Sequence, residues 1–195
     1  MNVLERVMKA INHEEVYPVP VVLWDLAPWM PKMFNVNINS YYHNTEKKLA
    51  VFTKLQETFP EVLLFPGFHP DFGVVIQASA FGGRIQWLED DAPYVYPSLE
   101  KIEDVNKIKP INPQNDGLMP YVLREWEYML KNVSPKIIEK YGYVRGHAVC
   151  MGPAETAGLV LGYEKLFYGY FENPSLVHKL LDIITDETIK WIKAQ

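Results

Sequence analysis

The chain has 195 residues, 48% of them hydrophobic, and a formal net charge of -5. That is ample for one sizeable core and short for two independent domains. Lys and Arg form no run long enough to track a polyanion, and no apolar stretch approaches the ~18 residues of a membrane helix, so neither nucleic acid nor membrane is an expected partner.

The N-terminus, Met1-Asn2-Val3-Leu4-Glu5-Arg6, carries an early acid and no long apolar core, unlike a secretory signal. Asn2 and Glu5 stand as a capping pair for a short helix, with Leu4, Val7, Met8 and Ile11 at helical spacing. Tyr17-Pro18-Val19-Pro20 ends it, and Val19 to Leu23 is a short apolar, β-branched run of the kind buried on both faces of a parallel sheet. Residues 26–42, rich in Pro, Met, Asn and aromatics, read as a long irregular loop or lid. Asn44 or Thr45 caps a helix with Leu49, Phe52, Thr53 and Leu55 inward, ending near Thr58.

Val62-Leu63-Leu64-Phe65 is a second buried run, followed by the loop Pro66-Gly67-Phe68-His69-Pro70-Asp71. Val74 to Ala80 is helical or extended, and Arg84 to Trp87 alternates like an exposed strand. Ile102 to Ile108 is a short helix stopped by Pro110. Tyr121 to Val133 is a longer one with Val122, Leu123, Trp126, Met129 and Leu130 on its apolar face. Tyr143 to Val149 is a third strand candidate. It runs into Cys150, whose solitude excludes an intramolecular disulfide and favours a reducing, cytoplasmic setting. After Gly152-Pro153 comes Ala154 to Leu161. Last is an amphipathic helix capped by Asn173, with Pro174 in its first turn and Val177, Leu180, Leu181, Ile184, Thr188, Trp191 and Ile192 on one face.

Short buried strands alternating with amphipathic helices predict an α/β fold of βα units around a parallel sheet. Three strands are too few for a complete (β/α)₈ barrel, which takes about 250 residues. The expectation is therefore the N-terminal part of a TIM barrel over residues 1–195, preceded by a helix, with the C-terminal part absent.

Four stretches carry a resemblance to a known family: Glu5-Arg6-Val7 with the run Val19 to Leu23; Ile102 to Ile108 with Pro110; Gly152-Pro153-Ala154-Glu155-Thr156-Ala157-Gly158; and Phe171-Glu172-Asn173-Pro174 leading into Val177 to Leu181. In order and approximate spacing they resemble the uroporphyrinogen decarboxylase family, whose (β/α)-barrel superfamily includes zinc-dependent methyltransferases served by corrinoid proteins. The decarboxylases carry an Arg-rich segment after the first strand, whereas this chain reads Trp24-Asp25-Leu26-Ala27-Pro28-Trp29. Guanidinium groups suit bidentate carboxylate recognition, so the methyltransferase branch is the nearer one. The resemblance implies methyl transfer between a corrinoid protein and a thiol or other small acceptor. It places zinc in a C-terminal half beyond this chain, so no metal is assigned to any residue here and the chain alone is expected to be inactive.

Active sites of such barrels lie at the carboxyl ends of the strands. That rule selects Asp25, His69, Asp71 and His147 as candidate catalytic groups and Trp24, Phe65 and Glu155 as candidate substrate contacts. Each has a plainer reading. Asp25 can cap a turn, His69 and Asp71 can be a solvated loop pair, and His147 can be a satisfied core histidine. Glu155 suits the positive end of a helix. Cys150 as a metal thiolate lacks further ligands and reads as an inert thiol. Two other functions compete: decarboxylation of a tetrapyrrole, and a non-catalytic half-barrel that pairs with itself or with a separate C-terminal half to cover its open sheet edges.

Overall fold

The computed structural model describes residues 1–24, 27–144 and 147–195. In chain order its elements are α1 (Val3–Ile11), β1 (Val21–Trp24), α2 (Trp29–Met33), α3 (Ile38–His43), α4 (Thr45–Thr58), β2 (Val62–Phe65), α5 (Val75–Ala80), β3 (Arg84–Gln86), β4 (Tyr94–Tyr96), a 3₁₀ helix (Ile102–Lys107), α6 (Met119–Asn132), α7 (Pro135–Tyr141), α8 (Pro153–Leu161), α9 (Tyr163–Glu172) and α10 (Pro174–Ala194). The fold is α/β with helix predominating. The chain gathers into two compact units. One is Met1–Asp71 with Glu89–Asp91 and Glu125–His147; the other is Phe72–Leu88, Ala92–Arg124 and Ala148–Gln195. No helix among the described residues is long and apolar enough to cross a membrane.

In the first unit, α1 opens with the expected capping box: the Glu5 amide donates to Asn2 Oδ1 at 2.8 Å, and the Asn2 amide donates to Glu5 Oε2 at 2.7 Å. β1 and β2 pair in parallel, with Val21 opposite Val62 and Trp24 opposite Phe65. The turn after β2 needs Gly67, whose φ of +89° is left-handed and whose missing Cβ would lie 2.5 Å from the Tyr143 ring. Tyr143 in turn stacks on Phe68, with centroids 5.0 Å apart, and receives the Leu64 amide on its hydroxyl at 2.6 Å. Residues 27–42 carry more regular structure than the expected loop, holding α2 and α3, since Asn37 caps α3 by accepting from the Ser40 amide; Asn44 then caps α4 through Lys47. Pro135 starts α7, a helix missing from the expected elements, which pass from Val133 to Tyr143.

In the second unit, α8, α9, α10 and the 3₁₀ helix enclose a core of Ile102, Val105, Ala157, Leu161, Leu166, Val177, Leu180 and Ile184. β3 and β4 form an antiparallel hairpin in a sheet of its own. Gln77 on α5 is 3% exposed. Its Oε1 accepts the Met151 amide at 2.5 Å, and its Nε2 donates to Met151 O at 3.2 Å and to Thr188 Oγ1 at 3.0 Å. Gln195 holds Val149 in the same two-sided way, at 3.1 Å to both its N–H and its C=O.

Two expectations about strands need correction. Residues 143–149 form no strand among the described residues. Val144 has φ +56°, which no strand accommodates, and the ladder groups of Val149 are taken by a side-chain amide instead of a neighbouring strand. The parallel sheet therefore has two strands here, not three. Nor is β1 buried on both faces: Val21, Val22 and Trp24 are 56%, 49% and 59% exposed. Strands in a two-stranded ribbon are both edges; β2 is partly covered, with Leu64 buried, while β1 lacks the cover that wider parallel sheets have.

Candidate functional site

The loop that leaves β2 carries His69 and Asp71 into the first unit's interior, where they are 1% and 3% exposed. His69 Nδ1 lies 2.6 Å from Gly67 O, so this nitrogen carries the proton and donates, leaving the Nε2 lone pair for an acceptor role. The imidazole sits 5.3 Å from the Phe52 ring, which itself stacks on Phe68. Burial pushes His69 below its ordinary pKa, against the pull of the Asp71 carboxylate, so the ring is held neutral. Asp71 Oδ2 accepts from the Tyr41 hydroxyl at 3.0 Å and from the Ala27 amide at 3.2 Å.

Next to these groups lies an ion pair that sequence reasoning missed. Lys48 Nζ stands 2.6 Å from Glu125 Oε2, with the two side chains 0% and 7% exposed. Thr45 Oγ1 donates to the other carboxylate oxygen at 3.0 Å. Burial pushes Lys48 down and Glu125 up, toward their neutral forms, and their mutual contact opposes both shifts. Tyr42 is driven the same way: burial first, then Asp71 and Asp91, raise its phenol and keep it protonated. A signal for the pair was present in the helix periodicity. Lys48 shares the inward stripe of α4 with Val51, Phe52 and Leu55, and Glu125 falls among Val122, Trp126 and Met129 on α6. Charges on apolar stripes are rarely buried unless paired.

His147 belongs to the same unit. It meets Trp126 edge-to-face at 5.2 Å and interacts electrostatically with His69. Trp24 and Phe65 end the two parallel strands with their rings 5.1 Å apart, half-exposed. Asp25 lies outside the described residues. Glu155 is in the second unit, in the first turn of α8, as the helix-opening reading expects. There it engages Tyr163, whose phenol is pushed up to about 12 by burial and by this carboxylate.

Chemically, the first-unit cluster can accept a proton at His69 Nε2, hold a protonated phenol against Asp71, and share a proton between Lys48 and Glu125. Among the described residues no three His, Cys, Asp or Glu side chains are placed together as metal ligands. Cys150 does not remedy this, since burial raises its thiol and disfavours the thiolate. An open cleft of about 880 Å³ in the second unit is lined by none of the expected site residues, and two of its charges, Asp104 and Lys107, are already paired at 2.7 Å.

The fold is similar to a solved methyltransferase from Methanosarcina mazei, with a TM-score of 0.72 and 18% identity. The match covers 100% of this chain and 55% of that one, so the chain spans about half the length of that protein. No curated protein matches the chain. The family model of uroporphyrinogen decarboxylase (URO-D) matches residues 3–195. The chain therefore belongs to the uroporphyrinogen decarboxylase family.

Proposed function

We propose that the chain is the N-terminal part of a cytoplasmic, uroporphyrinogen decarboxylase-like methyltransferase, which moves a methyl group between a corrinoid protein and a thiol or similar small acceptor. The observation that carries this reading is the buried group of His69, Asp71, Tyr41, Lys48 and Glu125 beyond the carboxyl end of β2, where barrel enzymes keep their chemistry. The fold's likeness to a methyltransferase supports the branch, as does the sequence Trp24 to Trp29, which offers no arginine for the carboxylates of a tetrapyrrole.

Transfer to a thiol would form a sulfur–carbon bond as the donor's bond to the methyl carbon breaks, its electron pair staying with the donor, and would release the thiol's proton, which needs an acceptor. Neutral His69 offers Nε2 for it, with Asp71 stabilising the imidazolium that results. Trp24 and Phe65 supply aromatic surface to the substrate. The rest of the barrel would supply the zinc site, and we expect no zinc-dependent turnover from this chain alone. A specific observation also favours pairing with a second half: the exposed apolar side chains of β1.

The test titrates the chain with methylcobalamin and a small thiol, with and without zinc, following the visible spectrum of the corrinoid. The expected result is a spectral shift on binding without demethylation. Turnover by the chain alone overturns its incompleteness. Quenching of its tryptophans by a porphyrin, without any corrinoid shift, returns it to the decarboxylase branch.

A further inference from the structure

A cleft of about 340 Å³ in the first unit runs along a different stripe of α4 from the one that carries Lys48. Its helical wall is Lys47, Ala50, Val51 and Lys54, which share a side because they stand three, four and seven residues apart. Its other wall includes Phe34 and Val36, and these are fixed by the way α2 ends. The Val36 amide donates to Pro31 O at 2.8 Å and the Asn35 amide to Lys32 O at 3.1 Å, the two bonds of a Schellman close. Asn35 supplies the left-handed residue this close requires, with φ +56°, a conformation Asn takes more readily than most side chains. Just beyond, Asn37 caps α3 by accepting the Ser40 amide. The wall is tied at both ends, so the cleft is preformed, as small-molecule sites generally are.

Apolar surface and charge share this one space. Phe34, Val36, Ala50 and Val51 give it a hydrocarbon lining, and among the described residues the ionisable groups that line it are two lysines and no acid. Lys47 Nζ donates to Ser40 Oγ at 2.5 Å, and Lys54 Nζ stands 4.8 Å from the centre of the Phe34 ring. Neither ammonium meets a carboxylate among the described residues. In a chain of net charge -5, this is a local inversion of sign. A cleft lined by one sign of charge, with low-dielectric walls, focuses its field on a guest of the opposite sign. The volume lies near the ~300 Å³ lower bound of ligand sites, which suits a small molecule.

We propose that this cleft binds a small amphipathic anion, a carboxylate on a short hydrocarbon body, with the lysines holding the carboxylate and Phe34, Val36 and Val51 covering the body. The site is separate from the buried His69 cluster and does not rest on the methyl-transfer reading. The test is isothermal titration calorimetry of the full chain with sodium octanoate, with circular dichroism to check that each variant is folded. Octanoate should bind one to one. Octan-1-ol, which lacks the charge, and acetate, which lacks the body, should each bind at least about tenfold more weakly. Lys47→Gln/Lys54→Gln should weaken octanoate roughly tenfold or more, whereas Lys47→Arg/Lys54→Arg should retain it. Ala50→Trp, made at an exposed helix position, should fill the cleft and abolish binding. Absence of octanoate binding overturns the proposal, as does octanol binding as tightly as octanoate, or binding that neither the glutamine pair nor Ala50→Trp disturbs. Retention of the chain by phosphatidylglycerol vesicles without binding of free octanoate would assign the lysines to a membrane surface, and overturns it too.

Discussion

Both units bury polar groups, but they differ in emphasis: the fully enclosed ion pair is in the first, while the second unit's buried Glu187 pairs with a half-exposed Lys190, and buried amides occur in both. The first hides charges: Lys48 against Glu125 at 2.6 Å, with Asp71 and His69 nearby. The second hides neutral amides and hydroxyls: Gln77 spans Met151 and Thr188, and Gln195 spans Val149. Burying an ion costs several kcal/mol even when it is well paired, and an apolar pair of similar volume is often no less stable. Burying an amide with all its hydrogen bonds met costs little. The amides of the second unit are thus sufficient to hold a loop in place. The charges of the first are an expensive way to do the same, and perturbed titratable groups of this kind cluster where proton chemistry is done.

The contrast can be broken at its strongest point first. Lys48→Met should lower unfolding stability by about 3–5 kcal/mol in urea, because it leaves Glu125 buried and unpaired. The double variant Lys48→Met/Glu125→Leu should recover most of that loss while losing whatever corrinoid binding the chain has. A double variant as unstable as the single would mean the pair is a structural necessity. Gln77→Leu should cost less, about 2 kcal/mol, by stranding the N–H and C=O of Met151.

Acid should separate the units as well. The folded pKa of His69 lies below its unfolded value of about 6.5, so in the window between the two the unfolded chain binds a proton that the native chain refuses. Stability therefore rises with pH across that window and is lost as pH falls through it. His69→Gln should flatten this part of the pH profile of thermal unfolding, whereas Gln77→Leu should leave its slope unchanged. Smallest of all, Lys107→Ala in the exposed pair with Asp104 should leave the urea midpoint where it is, since fully solvated pairs contribute little.

Much of this was legible in the residues. β2 falls on Val62–Phe65 as its apolar run predicts, Asn2 and Glu5 cap α1, and the loop holding His69 and Asp71 follows the strand as expected. Three kinds of feature were not legible. Lys48 and Glu125 each stand out as a charge on an apolar stripe, but they are far apart in the chain, and their pairing with one another exists only after folding. Val144 sits in an apolar, β-branched stretch that favours a strand, yet tertiary packing around Tyr143 places it at positive φ. Glu155 was grouped with the candidate substrate contacts by its position after the expected third strand, and α8 sets it beside Tyr163.

The side-chain amides on Val149 and Met151 have a consequence for dynamics. Only an extended residue points its N–H and C=O to the same side, so two glutamines holding alternate residues keep residues 149–151 extended without a neighbouring strand. Ala148 and Cys150, whose backbone groups face the other way, make no hydrogen bond among the described residues. Deuterium uptake should then alternate along four consecutive positions, slow at 149 and 151 and fast at 148 and 150. Gln77→Leu should release the amide of Met151 while leaving that of Val149 protected.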